Sequence, residues 1–262
     1  MKRAIFMGAL ACVLLFAAQC FADQFSFQTI GFYDTAVGNA SAIATGGHLN
    51  AGAAGSATAT VAMWQFWDWG EVAQSDQDLT SWVWDVRLLG PIGEYGDVTG
   101  TAILTLDYVT LVSPDGYLVE ATTAIASSSA SVTAYLCAAS WGCFWGAPLL
   151  KTQNFRVEDV AIYWDSHTGT MKEKISFDLG NLPLWNTADP WDGMWLELTG
   201  TYNNEQRVAE APWGFGLAVG VSSWDIYLTP QNNAPTPEPA SLVLLGTGLI
   251  GLAGVLRRKL SN

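Results

Sequence analysis

The sequence predicts a mainly β protein whose exported part is an antiparallel β-sandwich. Short segments alternate between apolar and polar residues, which is the period of a half-buried strand, and turn-forming residues separate them. No fixed-length repeat is visible, which argues against a solenoid. Many short strands with frequent turns favour a sandwich of about 200 residues, here predicted over 23–228.

The first 22 residues are expected to form a secretory signal peptide. Lys2 and Arg3 supply the charged start, and residues 4–18 supply the apolar region. Small residues suit cleavage after Ala22. A lipoprotein signal acylated at Cys20 is the alternative, but it requires a small residue before the cysteine, and that position holds glutamine.

The strands are predicted from alternation, and the turns from Pro, Asp and Gly. Turns at 113–116 and 165–169 are expected to close two hairpins, and a third turn is expected at 189–193. A Gly- and Ala-rich segment, 36–55, is interpreted as a loop or a closely packed strand. Weak helical periodicity occurs only at 76–84. The predicted strands are 25–30, 56–63, 98–112, 117–126, 131–137, 157–164, 171–179, 195–202 and 215–228.

Two cysteines remain after removal of the signal peptide, Cys137 and Cys143. A close pair in an exported protein predicts a disulfide across a loop. Closing so short a loop is expected to stabilise the fold by roughly 2–3 kcal/mol. A redox or metal role is disfavoured, because the spacer has five residues rather than two and no histidine lies nearby.

The C-terminal end combines a short polar motif, an apolar run and a basic cluster. The uncharged run at 240–256 would form a helix about 25 Å long, close to the roughly 30 Å of a membrane core. The basic residues that follow place the end of the helix in the cytoplasm and the preceding domain outside. A proline-rich segment, 229–236, is predicted to be an extended linker.

Pro237-Glu238-Pro239-Ala240-Ser241, the glycine-containing apolar run and the cluster Arg257-Arg258-Lys259 resemble the PEP-CTERM sorting domain, also known as the ice-binding protein C-terminal domain. The resemblance covers 237–259. It implies recognition by an exosortase in the inner membrane, transient anchoring there, and delivery to the cell surface or the extracellular matrix, often alongside exopolysaccharide. It implies nothing about the activity of the preceding domain.

Charge excludes nucleic acid as a partner. The chain has 24 acidic residues against 11 basic ones, whereas phosphate binding requires lysine and arginine. An acidic composition suits a well-solvated surface protein.

Thirteen tryptophans are the unusual feature of the exported domain. Their flat faces can stack on sugar rings, and the neighbouring Asp and Gln residues can bind hydroxyl groups. Exposed tryptophans would therefore make an exopolysaccharide-binding surface, whereas buried ones would indicate a purely structural protein. The candidate carbohydrate-binding residues are Trp64, Trp67, Trp69, Trp82 and Trp84.

No catalytic motif stands out, so no enzyme activity and no cofactor are predicted. The two histidines, His48 and His167, lack a metal-binding or catalytic spacing and are interpreted as surface residues. A glycoside hydrolase that uses two carboxylates is the remaining enzymatic alternative.

No metal site is predicted. Asp76 with Asp78, and Asp189 with Asp192, are spaced as calcium ligands could be, but neither pair matches the twelve-residue calcium loop. Both pairs are interpreted as solvated loop acids.

Overall fold

One compact unit, Phe25–Gln231, contains every described residue of the computed structural model. The signal peptide and the C-terminal helix predicted from the sequence lie outside those residues. Within the described part, no helix has the length and hydropathy needed to cross a membrane. The structure describes residues 25–60, 72–114, 123–138, 143, 147–162, 164–185, 193–210 and 214–231.

The described residues form ten β-strands, and the prediction of a mainly β protein is confirmed. The strands are β1 Ser26–Val37, β2 Ser41–Thr45, β3 His48–Thr60, β4 Val72–Leu89, β5 Tyr95–Pro114, β6 Thr123–Ala138, β7 Leu149–Ile162, β8 Ser166–Pro183, β9 Met194–Glu210 and β10 Gly214–Pro230.

The ten strands divide equally between two sheets. Sheet A has the order β1-β4-β9-β6-β7, and sheet B has the order β2-β3-β10-β5-β8. Every pairing between neighbouring strands is antiparallel. The predicted antiparallel arrangement is therefore confirmed.

The two sheets pack face to face through large apolar side chains. Phe155 of sheet A meets Trp224 of sheet B edge to face, with ring centroids 4.5 Å apart. Leu198 of sheet A and Leu104 of sheet B are completely buried in the same cluster. Burial of this kind stabilises by roughly 2 kcal/mol for each large side chain, so the shared core holds the sandwich together.

Two predicted hairpins are wrong. β5 belongs to sheet B and β6 to sheet A, so the turn at 113–116 does not join paired strands. The turn at 165–169 does not join paired strands either, because β7 belongs to sheet A and β8 to sheet B. Turn-forming residues reverse the chain, but they do not determine whether the next strand pairs with the last one or crosses to the opposite sheet.

The glycine-rich segment 36–55 contains strands rather than a loop. β2 and β3 form a hairpin in which Thr45 pairs with His48. Gly46 occupies the turn with φ of +57°, a conformation that glycine adopts without steric cost.

The weak helical periodicity at 76–84 is also misleading. This segment lies in β4, which pairs with β1 on one side and β9 on the other. Pairing on both edges and alternating burial outweigh local helix propensity. β4 therefore sends every second side chain into the core.

Candidate functional site

The predicted sugar-binding tryptophans of β4 lie in the core. Trp82 is 1% exposed and Trp84 is 0% exposed. They share one face of the strand, as their spacing predicts, but that face is turned toward sheet B. Neither ring can stack on a sugar from solvent, so the carbohydrate-binding prediction is wrong for these two residues.

Of the other four described tryptophans, two are buried, Trp185 is partly buried and one is exposed. Trp195 and Trp224 are buried, whereas Trp164 is 62% exposed and follows β7. Trp164 has a φ of +57°, which is rare for a bulky residue. Three further candidates lie outside the described residues, namely Trp64, Trp67 and Trp69.

Cys137 and Cys143 form the predicted disulfide bond. Cys137 lies near the end of β6 and is buried. The side chain of Glu197 approaches the two sulfur atoms, with all three ligand-type atoms within 4.8 Å of one another. Two sulfur atoms bonded to each other are not thiolates, so this group is not a metal site.

Two carboxyl groups stand side by side on the outer face of sheet A. Asp85 of β4 pairs directly with Glu197 of β9. Burial raises the pKa of Asp85 above its usual 3.8, and a hydrogen bond from the Trp195 side chain opposes that rise. For Glu197, burial and then the charge of Asp85 raise the pKa above its usual 4.5.

A carboxyl pair with raised pKa values is the kind of group that general acid–base chemistry uses. Cα atoms of directly opposed residues in antiparallel strands lie about 4.5–5.5 Å apart, which suits two interacting carboxyl groups. Alternation along β4 and β9 could have indicated that both acids face outward. Their pairing depends on the register between distant strands, so the sequence could not reveal it.

Both histidines are half-exposed, and each contacts an aspartate. His48 Nε2 lies 3.0 Å from Asp225 Oδ1, and its ring stacks on Tyr227 with centroids 4.3 Å apart. His167 Nδ1 lies 3.2 Å from Asp159 Oδ2. The first pair joins β3 to β10 and the second joins β8 to β7, so the two pairs are separate contacts on different strands.

A belt of polar side chains crosses the interior of the sandwich. The hydroxyl of Tyr202 donates to the backbone oxygen of Ser222 at 3.0 Å, and Ser128 Oγ lies 3.1 Å from Ser222 Oγ. Asn204 Nδ2 donates to the backbone oxygen of Gly220 at 3.4 Å. The belt separates the main apolar cluster from a smaller one that contains Val208.

Asp76 and Asp78 belong to this interior belt. Both lie in strand β4 rather than in a loop. The interpretation as a solvated acid is wrong for Asp78, which is completely buried, whereas Asp76 is partly exposed. Asp76 and Asp78 lie an even number of positions before Trp82 and Trp84, so all four side chains point to the same face of β4. This spacing could have placed both aspartates on the core face. The other predicted pair, Asp189 and Asp192, lies outside the described residues.

Comparison with known families identifies the C-terminal segment. The family model of the PEP-CTERM protein-sorting motif matches residues 235–259. The chain therefore carries this motif and is an exported protein targeted to an exosortase. The predicted sorting residues Pro237, Glu238, Pro239, Arg257, Arg258 and Lys259 all fall inside the matched range.

The similarities found for the exported domain do not indicate its function. The search of curated proteins found no match. A chain of broad bean stain virus is 12% identical, with 57% of this chain and 67% of that chain covered and a TM-score of 0.16. A chain of the cowpea mosaic virus top component is 14% identical, with coverages of 62% and 82% and a TM-score of 0.17. Neither similarity supports a functional argument.

Proposed function

We propose that this protein is a non-enzymatic, structural component of the cell surface or extracellular matrix. An exosortase would process the segment that follows the sandwich, after the helix at 240–256 has held the protein transiently in the inner membrane. The matched sorting motif supports the route. The sandwich itself would then serve as a stable, acidic module displayed outside the cell.

Burial of the tryptophans is the observation that carries this proposal. Four of the described tryptophans are buried, and two of them, Trp84 and Trp224, are completely inaccessible. Large aromatic side chains contribute strongly to core packing. In the described part of the sandwich, core packing is therefore enough to explain the high tryptophan content, and no ligand is needed.

Exopolysaccharide binding is the second candidate, and the exposed Trp164 favours it. With 62% of its surface accessible, this ring is available for stacking on a sugar. Any such surface would be built by residues outside the two sheets' shared core. Its contribution would add to the structural role rather than replace it.

Fluorescence separates the two candidates. The processed protein would be titrated with exopolysaccharide from the producing cell while tryptophan emission and acrylamide quenching are followed. The structural proposal predicts no saturable shift and a large unquenchable fraction. A saturable shift that disappears in Trp164→Ala, but not in Tyr33→Ala, would instead establish sugar binding; Tyr33 is an exposed aromatic residue of β1.

A carboxylate-dependent glycoside hydrolase is the remaining alternative, and the opposed pair Asp85 and Glu197 is the observation that favours it. Release of reducing sugar from the same polysaccharide would test this activity. Activity that is lost in Glu197→Gln and retained in Glu94→Gln would replace the structural proposal with an enzymatic one.

A further inference from the structure

Oxygen-bearing side chains of β4 and β9 meet in the space between the sheets. Asp76 of β4 pairs directly with Gln206 of β9, and Asp78 pairs with Asn204. Residues two apart on a strand point to the same face, so Asp76 and Asp78 both lie on the inner face. Asp78 and Gln206 are 0% exposed.

Gly55 of β3 leaves room for these side chains. A methyl group added to its α carbon would overlap Gln206 Oε1 and would lie 2.9 Å from Asp76 Oδ2 and 3.2 Å from Asp78 Oδ2. Gly220, the partner of Gly55 on β10, has the Gln206 side chain in the equivalent position. Three oxygen atoms from sheet A thus converge on one point beside the backbone of sheet B.

Two of the three oxygens lack a hydrogen-bond donor in the described part of the chain. These atoms are Asp78 Oδ2 and Gln206 Oε1, and both are buried. The remaining polar atoms of the same groups are engaged. Asp78 Oδ1 accepts a bond from the Asn39 backbone amide at 2.6 Å, and Gln206 Nε2 donates to Asn204 Oδ1 at 2.9 Å.

A buried acceptor without a donor is strongly unfavourable, and a buried carboxylate without a counter-charge is more so. Asp76 Oδ2 accepts one hydrogen bond, from the Ser56 amide at 3.0 Å. The ion pairs found among the described residues involve neither Asp76 nor Asp78. The cluster therefore offers negative charge and free oxygen lone pairs to a cation.

We propose that Asp76, Asp78 and Gln206 bind a calcium ion between the two sheets. Two carboxylates and an amide oxygen are hard ligands of the kind that calcium prefers, and their two negative charges match a divalent ion. Magnesium gives up its water reluctantly, so a set of protein oxygens of which two are buried favours calcium over magnesium.

Such an ion would join β4 to β9 of sheet A in the space beside Gly55 of β3. It would bind the folded sandwich and not the unfolded chain, because the ligands come together only when β4 pairs with β9. Stability of the exported domain would then depend on the calcium concentration outside the cell. We expect a dissociation constant on the order of 0.1–1 mM, as in other extracellular calcium modules.

The test uses the full chain, purified in detergent, stripped with a chelator and titrated separately with calcium and magnesium chloride. Thermal unfolding and titration calorimetry would follow each addition. The proposal predicts a one-to-one calcium isotherm and an unfolding midpoint that rises with calcium. Magnesium at the same concentration should produce a much smaller rise. Absence of a calcium-specific response would overturn the proposal.

Three variants locate the site. Asp78→Asn retains the acceptor for the Asn39 amide and removes one charge, so calcium affinity should fall at least tenfold. Gln206→Glu adds a negative charge, so it should lower the unfolding midpoint in the absence of calcium. The rise in the unfolding midpoint on adding calcium should be larger than in the unmodified protein. Glu94→Gln changes an exposed turn residue and should bind calcium as the unmodified protein does.

A rotated Gln206 amide, with Nε2 facing the carboxylates, would give Asp78 Oδ2 a donor without a metal, and Gln206 Oε1 would be satisfied only if the Asn204 amide rotated with it. In that case the unmodified chain shows no calcium response, and Gln206→Glu loses stability that calcium does not restore. A calcium response that survives unchanged in Asp78→Asn would place the ion elsewhere and would equally overturn the proposal. Neither result bears on export or sorting.

Discussion

The hydroxyl group of Tyr202 in β9 donates a hydrogen bond across the sandwich to the backbone oxygen of Ser222 in β10, at 3.0 Å. It contacts the Ser222 hydroxyl as well. Burial raises the pKa of Tyr202 to about 12, so the phenol stays protonated and continues to donate at physiological pH. A polar contact therefore joins the two sheets in the middle of an apolar core.

Replacing Tyr202 by phenylalanine should remove this contact and leave a buried Ser222 hydroxyl with one partner fewer. We expect a loss of about 1–2 kcal/mol in the free energy of unfolding. Urea denaturation would measure it. Tyr33→Phe provides the control, because Tyr33 is exposed and its replacement should leave the free energy unchanged. Equal effects in the two variants would contradict the role assigned to Tyr202.

Truncation of a core tryptophan should be far more costly than truncation of an exposed one. Trp84 is 0% exposed, and its Nε1 donates to Thr29 Oγ1 at 3.0 Å. Trp84→Ala is expected to lower the free energy of unfolding by about 3–5 kcal/mol.

Trp164→Ala is the matched control for that change and should alter stability by at most about 0.5 kcal/mol, because Trp164 is an exposed surface residue. Urea unfolding of both variants, monitored by far-ultraviolet circular dichroism, would compare them. Similar losses in the two would show that Trp84 is not part of the core.

Gly200 should be intolerant of a side chain. A methyl group there would overlap the backbone oxygen of Ser131 and lie 2.5 Å from Trp82 Cζ2. Gly200→Ala is therefore expected to destabilise the sandwich by about 1–3 kcal/mol through overpacking. At Gly52 the nearest atom would be the Ser222 oxygen at 3.4 Å, an ordinary contact.

Gly52→Ala should accordingly change the melting temperature little, whereas Gly200→Ala should lower it by several degrees. Calorimetry on both variants would check this. The reverse order would indicate that β9 and β6 approach each other less closely than described.

The carboxyl pair on sheet A should make stability depend on pH. The pKa of Glu197 is raised in the folded state, chiefly by burial and then by Asp85. The folded protein therefore binds this proton to a higher pH than the unfolded chain does. The associated stability is complete below the usual pKa of 4.5 and is lost as the pH rises through the folded-state value.

Glu197→Gln removes that titration. The variant should match the unmodified protein at pH 4 and become more stable at pH 7, by about 0.5 kcal/mol because Glu197 is only half-buried and solvent screens its charge. Denaturation at a series of pH values would measure the difference. A difference that does not change with pH would contradict this account, and Glu94→Gln should show none.

Local patterns located several strands, missed β4 and indicated strand partners poorly. Alternation placed β10 at 215–228, and the observed strand is Gly214–Pro230. The segments around 113–116 and 165–169 contain ordinary turn residues, yet both connect strands of different sheets. Pairing depends on contacts between residues far apart in sequence, which a turn motif does not encode.

The alternation of β4 did indicate its core face, because Trp82 and Trp84 share one face with Val86 and Leu88, whereas the opposite face carries Asp85 and Arg87. What the alternation did not indicate is that this core face also accommodates a buried acid. The interior position of Asp78 depends on space left by Gly55 in the other sheet. No local feature around Asp78 could predict that space.

The C-terminal motif, by contrast, was recognisable because its parts are contiguous in sequence. Motif, apolar run and basic cluster occupy a single stretch, and the matched range, 235–259, includes all three. The three parts of the motif act through their order along the chain and do not depend on a folded domain. This explains why the destination of the protein could be predicted in more detail than the chemistry of its sandwich.

Export through an exosortase is the central claim, and the mass of the mature protein tests it most directly. Intact-mass spectrometry and cell fractionation would compare producing cells that contain or lack the exosortase. We predict a surface or secreted form without the apolar tail in the first cells and a longer, membrane-bound form in the second. The same mass and location in both would contradict the account.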